Sequence, residues 1–177
     1  YYGQHSGLDA RDILTRREHF RLGQFGVVGG GPVKRDRAFA FGSYEGWRQR
    51  RAPQFSDVII ANIEQVNGVL RQLGLAENDL GIIHRRSADA GLIRADGQWE
   101  AHQLFLRYNV FSDREENYLA GEIGAIGGLP IAPVGGAKYD LRDHAVVVGV
   151  TSTLGARWVN DLIFQFSTTR LRSDVPR

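Results

Sequence analysis

The sequence predicts an all-β protein: an antiparallel up-and-down meander of about six long strands, with one short helix in a connecting loop. Three observations predict it. Apolar and polar residues alternate over unusually long runs, short turn signals sit between paired runs, and long segments join one pair to the next.

The first hairpin spans Gln24 to Arg51. Its two extended runs flank the charged turn Val33-Lys34-Arg35-Asp36-Arg37. Pro32 has no amide hydrogen for a ladder and suits the end of a strand. Gly29, Gly30 and Gly31 suit sharp twist or a close backbone approach. The residues before it, Tyr1 to Leu22, are polar and read as a lead-in, with Asp9 placed to cap a helical turn over Ile13 and Leu14.

In the connection 52–78, Ile63, Val66, Leu70 and Leu73 recur at helical spacing, and Gly74 stands where a C-cap belongs. This is either a short amphipathic helix within a long loop or a helix packed on a sheet. The second hairpin runs from Ile82 to Asp113, with Asp96-Gly97 as its turn signal. On its second run Leu104, Leu106, Tyr108 and Val110 share one face, and Gln103, Arg107 and Asn109 the other. Soluble strands average about five or six residues, whereas membrane-spanning strands need about nine to eleven, and this run is of the longer kind.

A second long connection, Arg114 to Lys138, is rich in Gly and Pro and has no periodicity. The third hairpin runs from Tyr139 to Arg172 and turns at Thr153 to Arg157. His144, Val146, Val148 and Val150 share a face on the way in, and Leu162, Phe164 and Phe166 on the way out. Asp143, Asp161, Gln165, Ser167 and Thr169 lie opposite.

Composition bounds the function. The 177 residues are 42% apolar and contain no cysteine, which excludes disulfides and thiolate metal sites. A net charge of +2, with basic residues dispersed, argues against a nucleic-acid partner. No apolar run is long enough for a membrane helix, but barrel strands alternate and escape that criterion. Catalytic patterns fail. Ser43 in Gly42-Ser-Tyr-Glu-Gly46 is misplaced for a nucleophile elbow, and Gly29 to Lys34 lacks phosphate-loop spacing. The histidines are isolated, and Asp113, Glu115 and Glu116 form an acidic loop run that reads as solvated charge rather than a calcium site. We expect no enzyme and no cofactor.

Short turns fall at one end of the meander and long loops at the other, which is the asymmetry of an outer-membrane barrel. Aromatic residues stand near both ends: Trp99 and Trp158 by the turns, Tyr44, Trp47, Tyr108 and Phe111 toward the loops. Girdles at the two membrane interfaces would look like this. The expectation is therefore a partial transmembrane β-barrel. The alternatives are a soluble all-β module that binds carbohydrate or another ligand, with its aromatics in a core, and a complete small barrel of the eight-stranded kind.

The run from Phe20 to Arg48, with its Gln24-Phe-Gly, Gly30-Gly-Pro, charged turn and Phe41-Gly-Ser-Tyr-Glu-Gly46, resembles the first barrel hairpin of TonB-dependent outer-membrane receptors of the Oar-like group. Leu104 to Asn109 and Val159 to Phe164 echo it, as does Asp9-Ala10-Arg11. Two positions depart from the group's pattern. Gly23 replaces an Asn, and Ala40 interrupts an aromatic pair.

The resemblance implies a bacterial outer-membrane location, with residues 1–177 as the N-terminal part of a barrel domain of about 22 strands. The plug domain and the remaining strands would lie outside it. Implied partners are outer-membrane lipid, the protein's own plug and the TonB complex. The implied task is uptake of a scarce nutrient such as an iron chelate, a glycan or a peptide, with protein export also associated with the group. Leu104, Leu106, Tyr108, Val110, Val146, Val148, Val150, Leu162, Phe164 and Phe166 would face lipid. Phe39, Phe41, Gln103, Arg107, Asn109, Asp143, Asp161 and Gln165 would face the lumen and plug. Arg48, Arg50, Arg51, Arg85 and Arg86 would form a rim for an anionic ligand or lipopolysaccharide, or simply a solvated one.

Overall fold

The computed structural model describes residues 1–5, 7, 20–52, 55, 57–118 and 137–174. They form one antiparallel sheet of seven strands in chain order, together with one helix. The strands are β1 (Tyr2–His5), β2 (Phe20–Lys34), β3 (Ala38–Arg51), β4 (His84–Trp99), β5 (His102–Tyr118), β6 (Ala137–Leu154) and β7 (Trp158–Asp174), and the helix is α1 (Asp57–Gln72). The up-and-down meander is as the alternation predicts. β1 is the addition: it pairs with β2 from Tyr2 against Gln24 to His5 against Arg21, inside the stretch read as a lead-in. Four residues are too few for a period of two to register. The expected helical turn at Asp9 lies outside the described residues.

The first and third turns fall where expected. Asp36 takes a left-handed conformation (φ 55°) and the Arg37 amide donates to the Lys34 carbonyl at 3.1 Å. Gly155 serves the third turn with φ 67°. The second turn does not. β4 runs straight through Asp96-Gly97 to Trp99, and the chain reverses at Glu100 and Ala101, with Glu100 at φ 52°. The side-chain pattern overrides the local signal. Turning at 100–101 sets Ala95 opposite Leu106 and Ile93 opposite Tyr108. A two-residue turn at Asp96-Gly97 would instead set Leu104 opposite Asp89 and Tyr108 opposite Arg85, placing charges among apolar side chains.

α1 closes with a Schellman motif. The Leu75 amide donates to the Leu70 carbonyl at 2.9 Å, the Gly74 amide to Arg71 at 3.1 Å, and Gly74 has φ 70°. Buried Asn67 then ties the helix to the chain beyond it, accepting from the Asn78 amide at 2.8 Å and donating to its carbonyl at 3.0 Å. Val58, Val66, Val69 and Leu73 stay exposed, and none of the extensive packing in the molecule involves α1. The helix belongs to its loop and does not cover the sheet.

Nothing else among the described residues covers the sheet either. The buried apolar residues are only Leu22, Ala88, Ala137 and Val147, and β7 is exposed along its whole length. A soluble sandwich buries one face of such a sheet under a second layer; here Ile93, Leu162, Phe164 and Phe166 are each at least 60% exposed.

The glycines of β2 divide by face. A Cβ on Gly30 would meet the Ala40 carbonyl oxygen at 2.9 Å, and one on Gly26 the Tyr44 carbonyl oxygen at 2.8 Å, whereas Gly29 and Gly31 have open space. We therefore expect Gly30→Val to destabilise the native protein by about 1–3 kcal/mol through forced separation of β2 and β3. Gly31→Val should be neutral or stabilising. Urea midpoints of the folded, heat-modifiable form check both.

Candidate functional site

Directly opposed residues in an antiparallel sheet project to the same side, and successive residues to opposite sides. The register therefore sorts the side chains without further assumption. On one face the rows read Gly31-Ala40-Ala95-Leu106-Val148-Phe164 and Gly29-Gly42-Ile93-Tyr108-Val146-Phe166. Leu104, Val150 and Leu162 form the row nearer the turns, and Val27, Tyr44, Gly91, Val110 and His144 the row nearer the loops. The one Asp, Glu, Lys or Arg in these rows from β2 to β7 is Lys34, which the irregularity at the end of β2 sets opposite Ala38 in the row nearest the turns. All ten residues expected to meet lipid fall on this face.

Aromatic residues bound it. Trp99 and Trp158 stand on the turn side. On the loop side the Tyr44 hydroxyl donates to Asp89 Oδ1 at 2.5 Å, and the Tyr108 hydroxyl lies 2.7 Å from His144 Nδ1. Arg48 donates to the same Asp89 oxygen at 2.7 Å and lies over the Phe25 ring at 5.5 Å. Trp47 and Phe111, expected to share the loop-side girdle, project to the opposite face, because each is an odd step from its tyrosine.

The opposite face carries charge at the same levels. Phe39, Phe41, Gln103, Arg107, Asn109, Asp143, Asp161 and Gln165 all lie on it, as expected, joined by Glu45, Arg94 and Asp96. Arg94 donates to Asp96 and stacks 5.1 Å over Phe105, while Thr151 donates to Asp161 at 3.0 Å. Arg107 Nε and Asp143 Oδ1 are buried with no hydrogen-bond partner among the described residues.

Toward the loops this face holds a continuous network that the sequence did not announce. The Arg51 guanidinium donates to His84 Nδ1 at 2.9 Å, His84 Nε2 lies 2.9 Å from Glu115, and Arg86 bridges Glu115 at 3.3 Å and Asp113 at 2.5 Å. His84 and Asp113 are buried at its centre. Asp113, Glu115 and Glu116 thus belong to β5 rather than to a loop, and arginines hold all three. Arg51 and Arg86 lie on the charged face, whereas Arg48, Arg50 and Arg85 lie on the other, above the apolar rows. The five arginines do not form one cluster, since sequence neighbours on a strand point apart. Among the described residues no group of three or more His, Asp or Glu could hold a metal ion, and no helix is long and apolar enough to cross a membrane.

Residues 1–83, which include β1, β2, β3 and α1, match the family described as an outer membrane beta barrel domain. Over these residues, just under half of the chain, the protein is similar to outer-membrane β-barrel domains, which places it in the bacterial outer membrane. No curated protein and no solved structure matches the chain. β4 to β7 lie beyond the matched residues yet continue the same sheet with the same division of faces.

The network makes an unequal demand on neighbouring arginines. Arg86→Ala would leave the Asp113 and Glu115 carboxylates without their shared cation and should cost the barrel about 1.5–3 kcal/mol. Arg85 pairs with Glu116 at 3.3 Å with both side chains more than half exposed, so Arg85→Ala should cost less than about 1 kcal/mol. Comparing urea unfolding of the two variants checks the contrast.

Proposed function

We propose that this sheet is the first part of the barrel wall of a TonB-dependent transporter of the Oar-like group. Its apolar face meets lipid, and its charged face lines the lumen against a plug domain. The observation that carries the membrane part of this reading is the uncovered apolar face, whose rows from β2 to β7 hold no charged side chain except Lys34 at the turn-side end of β2. Its height also fits. From Trp158 to Thr168, β7 rises about 34 Å, or about 26 Å along a barrel axis at a tilt of about 40°, against an apolar band of about 25 Å in outer-membrane barrels. β2 to β7 are 14 to 18 residues long, longer than a crossing requires, so their loop-side ends stand above the bilayer.

The transporter part rests on the resemblance over Phe20 to Arg48, which folds as the single hairpin β2–β3. In that hairpin Gly31, Ala38, Ala40 and Gly42 share the lipid side, and Phe39 and Phe41 project into the lumen. Arg107 Nε and Asp143 Oδ1, buried without a hydrogen-bond partner among the described residues, are atoms that a plug or lumenal water would satisfy. The cargo is a scarce nutrient, such as an iron chelate, a glycan or a peptide, with energy delivered through the TonB complex to the plug.

Two experiments test this. Expressed with its native flanking sequence, the protein should partition into outer membranes and migrate as a heat-modifiable band. Within it, Val148→Arg, at mid-band on the lipid side, should cost about 2–4 kcal/mol. Gln165→Arg, on the neighbouring strand but facing the lumen, should cost little. Equal costs would refute the face assignment. Deleting the TonB complex should abolish uptake of the cargo while leaving the band intact; uptake that survives the deletion overturns the transporter reading.

A further inference from the structure

Immediately above the apolar rows, the lipid-side face turns basic. Between the apolar rows and the loop-side ends of β2 to β7 it carries nine cationic side chains against four carboxylates. The charged face at the same height is balanced, with Arg51, Arg86 and His84 against Asp113 and Glu115.

The excess concentrates at one place. Arg21 stands directly opposite Arg50, and Arg50 directly opposite Arg85, so three guanidinium groups lie side by side across β2, β3 and β4. Directly opposed like charges destabilise a sheet. Only Arg85 has a carboxylate, exposed Glu116 at 3.3 Å; Arg21 and Arg50 make no side-chain hydrogen bond or ion pair among the described residues. One row closer to the bilayer, Arg48 reaches the same spot beside Gly23. A Cβ at Gly23 would touch nothing within 4 Å, and the space is a hollow of about 440 Å³ lined by Arg21, Arg48, Arg50 and Arg85.

We propose that this hollow is a binding site for the phosphate groups of lipid A, the phosphorylated glycolipid of the outer leaflet. The inference rests on the lipid-side assignment made above. Three observations argue for a lipid phosphate. The arginines project to the side of the apolar rows and not into the lumen. They stand at the height where a head group follows its acyl chains. Their planar forks also accept phosphate oxygens in pairs, which relieves the repulsion that the empty row carries. Anionic head groups are held in basic pockets of this kind at membrane surfaces.

The test uses the protein purified from outer membranes in detergent, with native mass spectrometry to count bound lipid after exchange against bisphosphorylated or fully dephosphorylated lipid A. The wild type should retain the bisphosphorylated form at least tenfold better than the dephosphorylated one. Arg21→Gln combined with Arg50→Gln should lose about tenfold in that retention, although neither change breaks a pair. The lipid-free form of this variant should be at least as heat-stable as wild type, because the like-charge row is relieved. Gly23→Asn, which fills the hollow and leaves every charge in place, should weaken retention too. Equal retention of the two lipids, or undiminished retention by the double variant, overturns the proposal while the heat-modifiable band still supports the barrel. Absence of that band from outer membranes would overturn both.

Discussion

Backbone amide and carbonyl groups that enter hydrocarbon must be paired, and in a sheet the pairing register then decides which side chains come along. In this chain that register is the constraint on which everything else depends. A slip of one residue between β5 and β6 would set Val147 instead of Val148 beside Leu106 on the apolar side, and β7 would follow, bringing Gln165 there in place of Phe164. The turns are subordinate to it. Asp96-Gly97, the strongest turn signal in the second hairpin, is carried inside β4 because the side-chain rows are worth more than a favourable local dihedral pair.

The same register separates two kinds of electrostatics that the sequence interleaves. On the charged face, cations and carboxylates of β3, β4 and β5 satisfy one another, with His84 buried between Arg51 and Glu115. On the other face, the charges above the apolar rows do not balance, and Arg21, Arg50 and Arg85 face each other across adjacent strands. The division is a matter of medium. In a barrel wall a charge that faces the lumen can draw on water and on protein, whereas a charge at the outer interface draws on whatever head groups surround it.

The period of two made much of this legible. Leu104 to Val110, His144 to Val150 and Leu162 to Phe166 announce their strands and their face, because each alternates long enough to exclude helix and ordinary loop. Gly74 announced a helix end through its left-handed conformation. The rest was hidden for identifiable reasons. β1 is too short to alternate. The β4–β5 turn depends on a partner strand that local signals do not consult. The Arg51-His84-Glu115-Arg86-Asp113 network joins residues far apart in the chain, whose charges read locally as solvated. Arg48, Arg50, Arg51, Arg85 and Arg86 looked like one basic rim because a string of letters does not show which way a strand residue points.

The sheet's edges carry the argument one step further. β1 covers β2 only from Arg21 to Gln24, so the outer edge of β2 from Phe25 to Lys34 is unpaired among the described residues, at the level of the apolar rows. β7 has seventeen residues with one edge open, and Leu162, Phe164 and Phe166 lie on it at the same level. In hydrocarbon each unpaired amide or carbonyl costs several kcal/mol. Pairing of both edges is therefore a condition of any such fold in hydrocarbon and not a refinement of it.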